Sequence, residues 1–175
     1  PNVTLLDSGE FLVAAQHFGV PHPTAYPMWT FLSWAFQLVF PFGNAAWKIN
    51  LFSGILGALA VALCGGLSHN AVRWIFPIAG RKITLPVCLA FSLLFAFSVS
   101  MWSQAVIAEV YTLHALLVGL YLASVYVLIR RPESNLVLVV TFFLLTLAFS
   151  NHHLVVALTP LTFIVVLLLR RDAFL

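Results

Sequence analysis

From residue 49 to residue 169 the chain alternates long apolar runs with short charged connections, and this alternation limits the possible folds more than any single motif. A helix needs roughly 17 to 25 apolar residues to cross the hydrocarbon core of a bilayer, because each residue rises only about 1.5 Å. Residues 49–67, 84–101 and 111–129 meet that length, while 135–150 and 154–169 are slightly short. The last two read as further spans, with a re-entrant hairpin as the alternative. Only 7% of residues are charged and mean hydropathy is +1.06, whereas a soluble domain carries about a quarter charged residues. So little polar surface does not cover a water-soluble globule. The expected fold is all-α, a polytopic transmembrane helical bundle of about five spans over residues 49–169.

Residues 1–48 precede the first span as a long loop. The stretch 28–40, bracketed by Pro27 and Pro41, is too short to cross, and the spacing of Trp29, Leu32, Phe36 and Phe40 predicts a helix lying in the interface. Residues 7–18 read as another short helix leading into a proline-rich turn. The chain has no starting Met and stops after an apolar run, so it reads as a piece of a longer protein, lacking an earlier span and everything downstream, and inactive by itself.

Alternating five spans gathers Arg73, Arg81, Lys82, Arg130, Arg131, Arg170 and Arg171 on one side and leaves Lys48 alone on the other. Short-loop Lys and Arg stay cytoplasmic, so the first side faces inward. The net charge of +3 is thus spent on membrane anchors and does not mark a nucleic-acid partner. Cys64 and Cys88 sit in apolar runs and read as small buried hydrophobes rather than a disulfide.

The outer side then collects Asp7, Glu10, His17 and His22 from the first loop, Glu109 from the loop after the second span, and Asn151-His152-His153 from the loop after the fourth. Three acids and four histidines thus converge on one face of a chain poor in charge. For Asp7 and Glu10 two readings stay open. Asp at an N-cap with Glu three residues on is a variant capping box. The same i, i+3 spacing puts both carboxylates on one helical face, where partial burial raises one into the range of a general base.

Pro21-His22-Pro23 and Tyr26-Pro27 form a rigid connector, which can also hold His22 against a ligand. Glu109 suits the positive end of a helix dipole, or a functional role at the membrane surface. Adjacent His152 and His153 point to different helix faces, and neither a His-Glu-x-x-His motif nor a metal-spaced Cys pair is present; no metal ligands are assigned, and a divalent cation is left as a possible cofactor. Hydrogen bonding to phosphate or sugar fits these imidazoles as well. His114, a turn into a span, reads as an interhelical hydrogen bonder. Ser53-x-x-x-Gly57 reads as close helix packing, the five tryptophans largely as interface anchors, and Asn2-Val3-Thr4 as a glycosylation acceptor triplet.

"DSGEF" running to "HPTAYP", then "FGNAAWKINLFSGILGALAVAL", "WSQAVIAEVYTLHAL" and "LAFSNHHL", together resemble the membrane family related to protein O-mannosyltransferases. The likeness runs from about residue 5 to residue 169. That family belongs to the polytopic glycosyltransferases of the GT-C fold, which use lipid-linked sugars. The resemblance implies an inverting transfer of a sugar, mannose by analogy, from a polyprenyl- or dolichyl-phosphate donor to an acceptor hydroxyl of a protein Ser or Thr, or of a lipid. It also implies that an acid of the first outer loop serves as base: Asp7, with Glu10 as the other candidate. His22, Tyr26, Glu109, His152 and His153 become the substrate-binding candidates, the histidines facing the departing phosphate. A commoner version of the turn reads His-Pro-Pro-Gly-Tyr-Pro; here Thr24 and Ala25 replace the second proline and the glycine. The expected location is a bacterial inner membrane with a periplasmic site, or an ER membrane with a lumenal one. Other classes are a metal-dependent membrane hydrolase, a transporter and a structural membrane subunit. A transporter would need ionisable groups near the bilayer midplane, and apart from His114 near one end the spans have none.

Overall fold

The structure, a computed structural model, describes residues 7–23 and 25–170. Asn2-Val3-Thr4, Thr24 of the turn and Arg171 of the basic set lie outside the described residues. The described chain is helical throughout. Two short helices, α1 (Ser8–His17) and α2 (Pro27–Val39), lead into α3 (Ala45–Ile75), α4 (Arg81–Ala96), α5 (Val99–Ala105), α6 (Tyr111–Arg130) and α7 (Asn135–Asn151), and a 3₁₀ turn (His153–Leu158) precedes α8 (Thr159–Leu169).

Each long helix has a local reason to begin where it does. The Asn44 side chain accepts the Trp47 backbone N–H at 2.9 Å and caps α3, just after Gly43 at φ 78°. A side chain at Gly43 would strike the Trp47 ring as well as strain the backbone, so glycine is required there. Ser134 caps α7 in the same manner.

Helices α3 and α6 are long and apolar enough to cross a membrane. The expected second span is not one straight helix: α4 and α5 meet at a 63° bend. Ser98 causes the break, since its hydroxyl caps α5 by accepting from Met101 N–H and donates back to the Phe95 carbonyl at 2.7 Å. The 17 residues of α7 rise about 25 Å, somewhat less than a hydrocarbon core of about 30 Å. The segment His153–Leu169 is also short.

Packing joins α6 to both α3 and α7, with α4 against the outer flank of α3. Gly57 lets α5 and the start of α6 come close to α3: a Cβ there would lie 3.3 Å from Ala105 Cβ and Met101 Cε and 3.6 Å from Thr112 Cγ2, which bears out the small-residue reading of Ser53-x-x-x-Gly57. Between α6 and α8, Tyr121 Oη and Thr162 Oγ1 share a buried hydrogen bond of 2.6 Å. Leu85, Leu89, Phe91 and Leu94 of α4 and Leu136, Val139 and Phe143 of α7 face outward, as lipid-facing surfaces do. Cys64 and Cys88 are free thiols.

Arg73, Arg81, Lys82, Arg130, Arg131 and Arg170 all fall at one end of the bundle, at the ends of α3, α4, α6 and α8. There Arg170 donates to the Pro132 carbonyl at 2.8 Å and to Asn135 Oδ1 at 2.9 Å, clasping α8 to the α6–α7 connection. Trp74 and Trp102 are 53% and 54% exposed, in keeping with interface anchors. Trp29 is not one: it is 0% exposed, because α2 folds back onto α1 and packs the indole against Phe11, ring centres 5.0 Å apart.

Candidate functional site

The opposite end of the bundle carries the acids and imidazoles. Helix α1 lies over it, tied to the loop between α5 and α6 where Ser8 Oγ donates to the Ala108 carbonyl at 3.3 Å. The carboxyl end of α7 is fixed to the same place by Asn151, whose Nδ2 donates to the Val110 carbonyl at 3.3 Å. The loop holding Glu109 is therefore gripped from two sides by residues far apart in sequence.

Asp7 and Glu10 do not form the capping box. Asp7 makes no side-chain cap; only its carbonyl joins the helix, accepting from Phe11 N–H at 3.0 Å. Glu10 turns away to His22, Oε1 accepting its backbone N–H and Oε2 lying 3.0 Å from Nδ1. These hydrogen bonds, side chain before backbone, hold the Glu10 carboxyl below the usual carboxylate range. On its other side His22 Nε2 is 3.4 Å from Tyr26 Oη. Phe11 packs on the His22 and Tyr26 rings, centres 5.5 Å away in both cases. The turn that permits this has Ala25 at φ 69° and Tyr26 at φ 43°, and the Ala25 N–H closes on the His22 carbonyl at 2.8 Å.

Asp7 is exposed, whereas Glu109 is only 5% exposed. Burial pushes the Glu109 carboxyl upward, against a smaller opposing pull from the Val110 N–H, and the nearby Asp7 charge adds a lesser upward push. Burial thus makes Glu109 the more basic acid, while Glu10, one of the two carboxylates expected to be raised, is drawn the other way by His22. The expectation that Glu109 stands at the mouth of a helix is met, one residue before the Val110 N-cap of α6.

Rings gather around His152: Tyr26 at 5.7 Å, Tyr111 at 5.4 Å, His114 at 5.1 Å and His153 at 4.8 Å, the last stacked. Burial lowers the His152 imidazole, and its neighbour His153 lowers it further. Its Nδ1 accepts the Leu154 N–H at 3.3 Å, so the neutral ring carries its hydrogen on Nε2. The interhelical hydrogen bond expected of His114 is not formed; its Nδ1 has no partner and the ring faces His152. Tyr111 and Phe11 were missed as parts of this assembly. Tyr111 stands one turn before His114, a spacing that puts both on one face, while Phe11 carried no signal apart from being apolar. His17 at the end of α1 is exposed and joins none of these ring contacts. Among the described residues, no group of three or more His, Cys, Asp and Glu is arranged to hold a metal ion.

Glu109 supplies a pH test. The folded chain keeps the Glu109 proton at pH values where the unfolded chain, with an ordinary value of 4.5, has lost it. The stability linked to this group is full below pH 4.5 and falls as pH rises through the raised value. Glu109→Gln is neutral throughout, so its thermal transition should lie above that of the wild type at neutral pH and converge with it below pH 4.5. Equal transitions across the range would mean that burial does not act on this carboxyl. Glu10 has the opposite sign and is common to both proteins, so it drops out of the difference.

A family model described as the protein O-mannosyl-transferase TMEM260 N-terminal domain matches residues 7–174. The chain is 38% identical over 117 residues to the mouse protein O-mannosyl-transferase TMEM260, a match covering 67% of this chain and 15% of that protein. It is 27% identical over 188 residues to the protein O-mannosyl-transferase tmem260 of Dictyostelium discoideum, covering 98% of this chain and 22% of that one. The chain thus spans a small part of the curated relatives it matches. No solved structure matches it.

Proposed function

The chain belongs to the family of the protein O-mannosyl-transferase TMEM260 N-terminal domain, and from that membership we propose that it forms the base-bearing membrane part of an inverting glycosyltransferase. The reaction carries a mannosyl group from a polyprenyl- or dolichyl-phosphate donor to a Ser or Thr hydroxyl of a protein. The observation that carries the assignment of roles is an exposed Asp7 whose charge reaches the buried Glu109, while Glu10 is occupied by His22.

In this reading Asp7 takes the proton of the acceptor hydroxyl as its oxygen attacks the anomeric carbon. The bond from that carbon to the phosphate oxygen breaks, and the electron pair leaves with the lipid phosphate. Attack and departure on opposite faces invert the anomeric centre. His152, neutral with its hydrogen on Nε2, donates toward the departing phosphate, with His153 stacked beside it. Glu109, whose burial favours the protonated form, serves as a hydrogen-bond donor rather than a second base. None of these steps is assigned to a divalent cation; among the described residues no group of three or more acids, histidines and cysteines is arranged to hold one. The five-span arrangement is proposed with it: α4 and α5 serve as one bent span, α7 and the His153–Leu169 segment as two short ones. The basic end then faces the cytoplasm, and the site faces the periplasm of a bacterial inner membrane or the lumen of the ER.

The test is transfer by the full-length protein in membranes, given polyprenyl-phosphate or dolichyl-phosphate mannose labelled in the sugar. The expected result is label linked to Ser or Thr of a co-supplied acceptor protein. Transfer from a nucleotide sugar in membranes depleted of lipid-linked sugar, with none from the lipid donors, would overturn the donor assignment. Label recovered only in lipid would overturn the acceptor assignment.

A further inference from the structure

Glu10 uses neither oxygen to cap α1; both are given to one residue twelve positions on. A carboxylate has no hydrogen to offer, so the hydrogen in the 3.0 Å contact between Oε2 and His22 sits on Nδ1, a tautomer assigned from its partner. A neutral imidazole protonated at Nδ1 keeps its lone pair on Nε2. The group facing Nε2 is the Tyr26 hydroxyl, 3.4 Å away, and toward that neutral tautomer it donates its hydrogen to His22. A phenol whose only hydrogen is spent is left as an acceptor.

The surroundings keep this chain of contacts in place. Ala25 and Tyr26 both have positive φ, a conformation that residues with side chains hold only where the surroundings enforce it. The enforcement comes from Glu10 on the His22 backbone and from Phe11 against both rings. Tyr26 is 7% exposed and its ring lies 5.7 Å from that of His152.

We propose that Glu10 is a positioning residue which fixes the His22 tautomer and thereby makes the Tyr26 oxygen an acceptor for a substrate hydroxyl, on the sugar or on the acceptor, rather than a ligand of the phosphate. The proposal rests on the glycosyl-transfer reading above. It separates two roles within one ring cluster. His152 presents a hydrogen suited to phosphate oxygens, and Tyr26 presents a lone pair that repels them. His22 joins Glu10 to Tyr26 and does not itself hold the phosphate.

Glu10→Gln tests this without removing the packing. A glutamine amide can still accept the His22 backbone N–H, but its NH₂ must face Nδ1, which drives the imidazole hydrogen to Nε2. Nitrogen-15 spectra of histidine-labelled full-length protein in nanodiscs, with the His22 signal assigned by its loss in His22→Gln, report the tautomer directly. The expected result is a protonated Nδ1 and a bare Nε2 in the wild type, exchanged in Glu10→Gln. A wild-type His22 protonated at Nε2, whether as the other tautomer or as imidazolium, overturns the proposal, and so does a tautomer unchanged in Glu10→Gln. In the transfer assay, Glu10→Gln and Tyr26→Phe should each lower turnover about tenfold or more through misplacement of the substrate. A rise in the KM for the lipid donor alone puts the hydroxyl on the sugar; a rise in the KM for the acceptor alone puts it there. Tyr26→Phe with wild-type turnover and KM values overturns the hydroxyl role. If the wild type transfers no sugar from lipid, the functional reading falls, while the nitrogen spectra still decide whether Glu10 sets the tautomer.

Discussion

Asp7→Asn should lower mannosyl transfer by the full-length protein on the order of a hundredfold or more, about 2.7 kcal/mol in the barrier, and leave folding as it is. The second half of that expectation follows from geometry. Asp7 contributes to α1 through its carbonyl, which Asn also has, and its side chain makes no capping bond that the change would break. The first half follows from the proton balance: an amide does not accept the acceptor proton, and the other acids are poorly placed to replace it. Glu10 has both oxygens on His22, and Glu109 is buried with a carboxyl pushed toward its neutral form. The loss should appear in turnover at saturating donor, with the donor KM little changed, because the proton moves only in the transition state. If Asp7→Asn transfers as well as the wild type, Asp7 serves only at the N-cap position of α1. Glu109→Gln then becomes the informative variant, since a base at that position would lose transfer, whereas the donor role assigned to it is partly kept by an amide.

The parts of this architecture that depend on length and on charge were readable from the sequence. The apolar runs at 49–67 and 111–129 became α3 and α6, and the basic residues fell at one end of the bundle because consecutive helices must alternate in direction. For the same reason the sequence could collect the acids and histidines at one end without knowing which touch. The break within residues 84–101 was hidden because a single serine, capping α5 and bonding back to Phe95, redirects a run that is apolar on both sides of it. The partnership of Glu10 with His22 was hidden for a different reason. It requires positive φ at Ala25 and Tyr26, where no glycine announces the turn, and that strain is held by contacts made only after α1 and α2 pack together. A local capping rule therefore gave way to a tertiary contact. Glu109 shows the same limit, since its position before a helix was legible but its burial depends on Ser8 and Asn151 closing over the loop.

Trp29→Ala should cost about 3–5 kcal/mol of stability, more than truncation of any interfacial tryptophan. The indole is 0% exposed and stands between α1 and α2, edge to face with Phe11, so its removal leaves a cavity beneath the residue that supports His22 and Tyr26. Trp102, 54% exposed, is the control: Trp102→Ala takes little from the protein core and should shift unfolding far less. Trp29→Phe separates packing from polarity. The Trp29 Nε1 hydrogen is buried without a partner, so a phenyl ring gives up no hydrogen bond and should cost well under half as much as alanine. Steric-trap or thermal unfolding of the full-length protein in nanodiscs reads all three. If Trp29→Ala and Trp102→Ala unfold alike, the indole is an interface anchor after all and the α1–α2 layer is not held by it. If Trp29→Ala is strongly destabilised and also loses transfer at temperatures where it stays folded, the cavity has reached the turn. The site then depends on a residue that touches none of its reacting groups, because the strained Ala25–Tyr26 backbone survives only while Phe11 has something to press against.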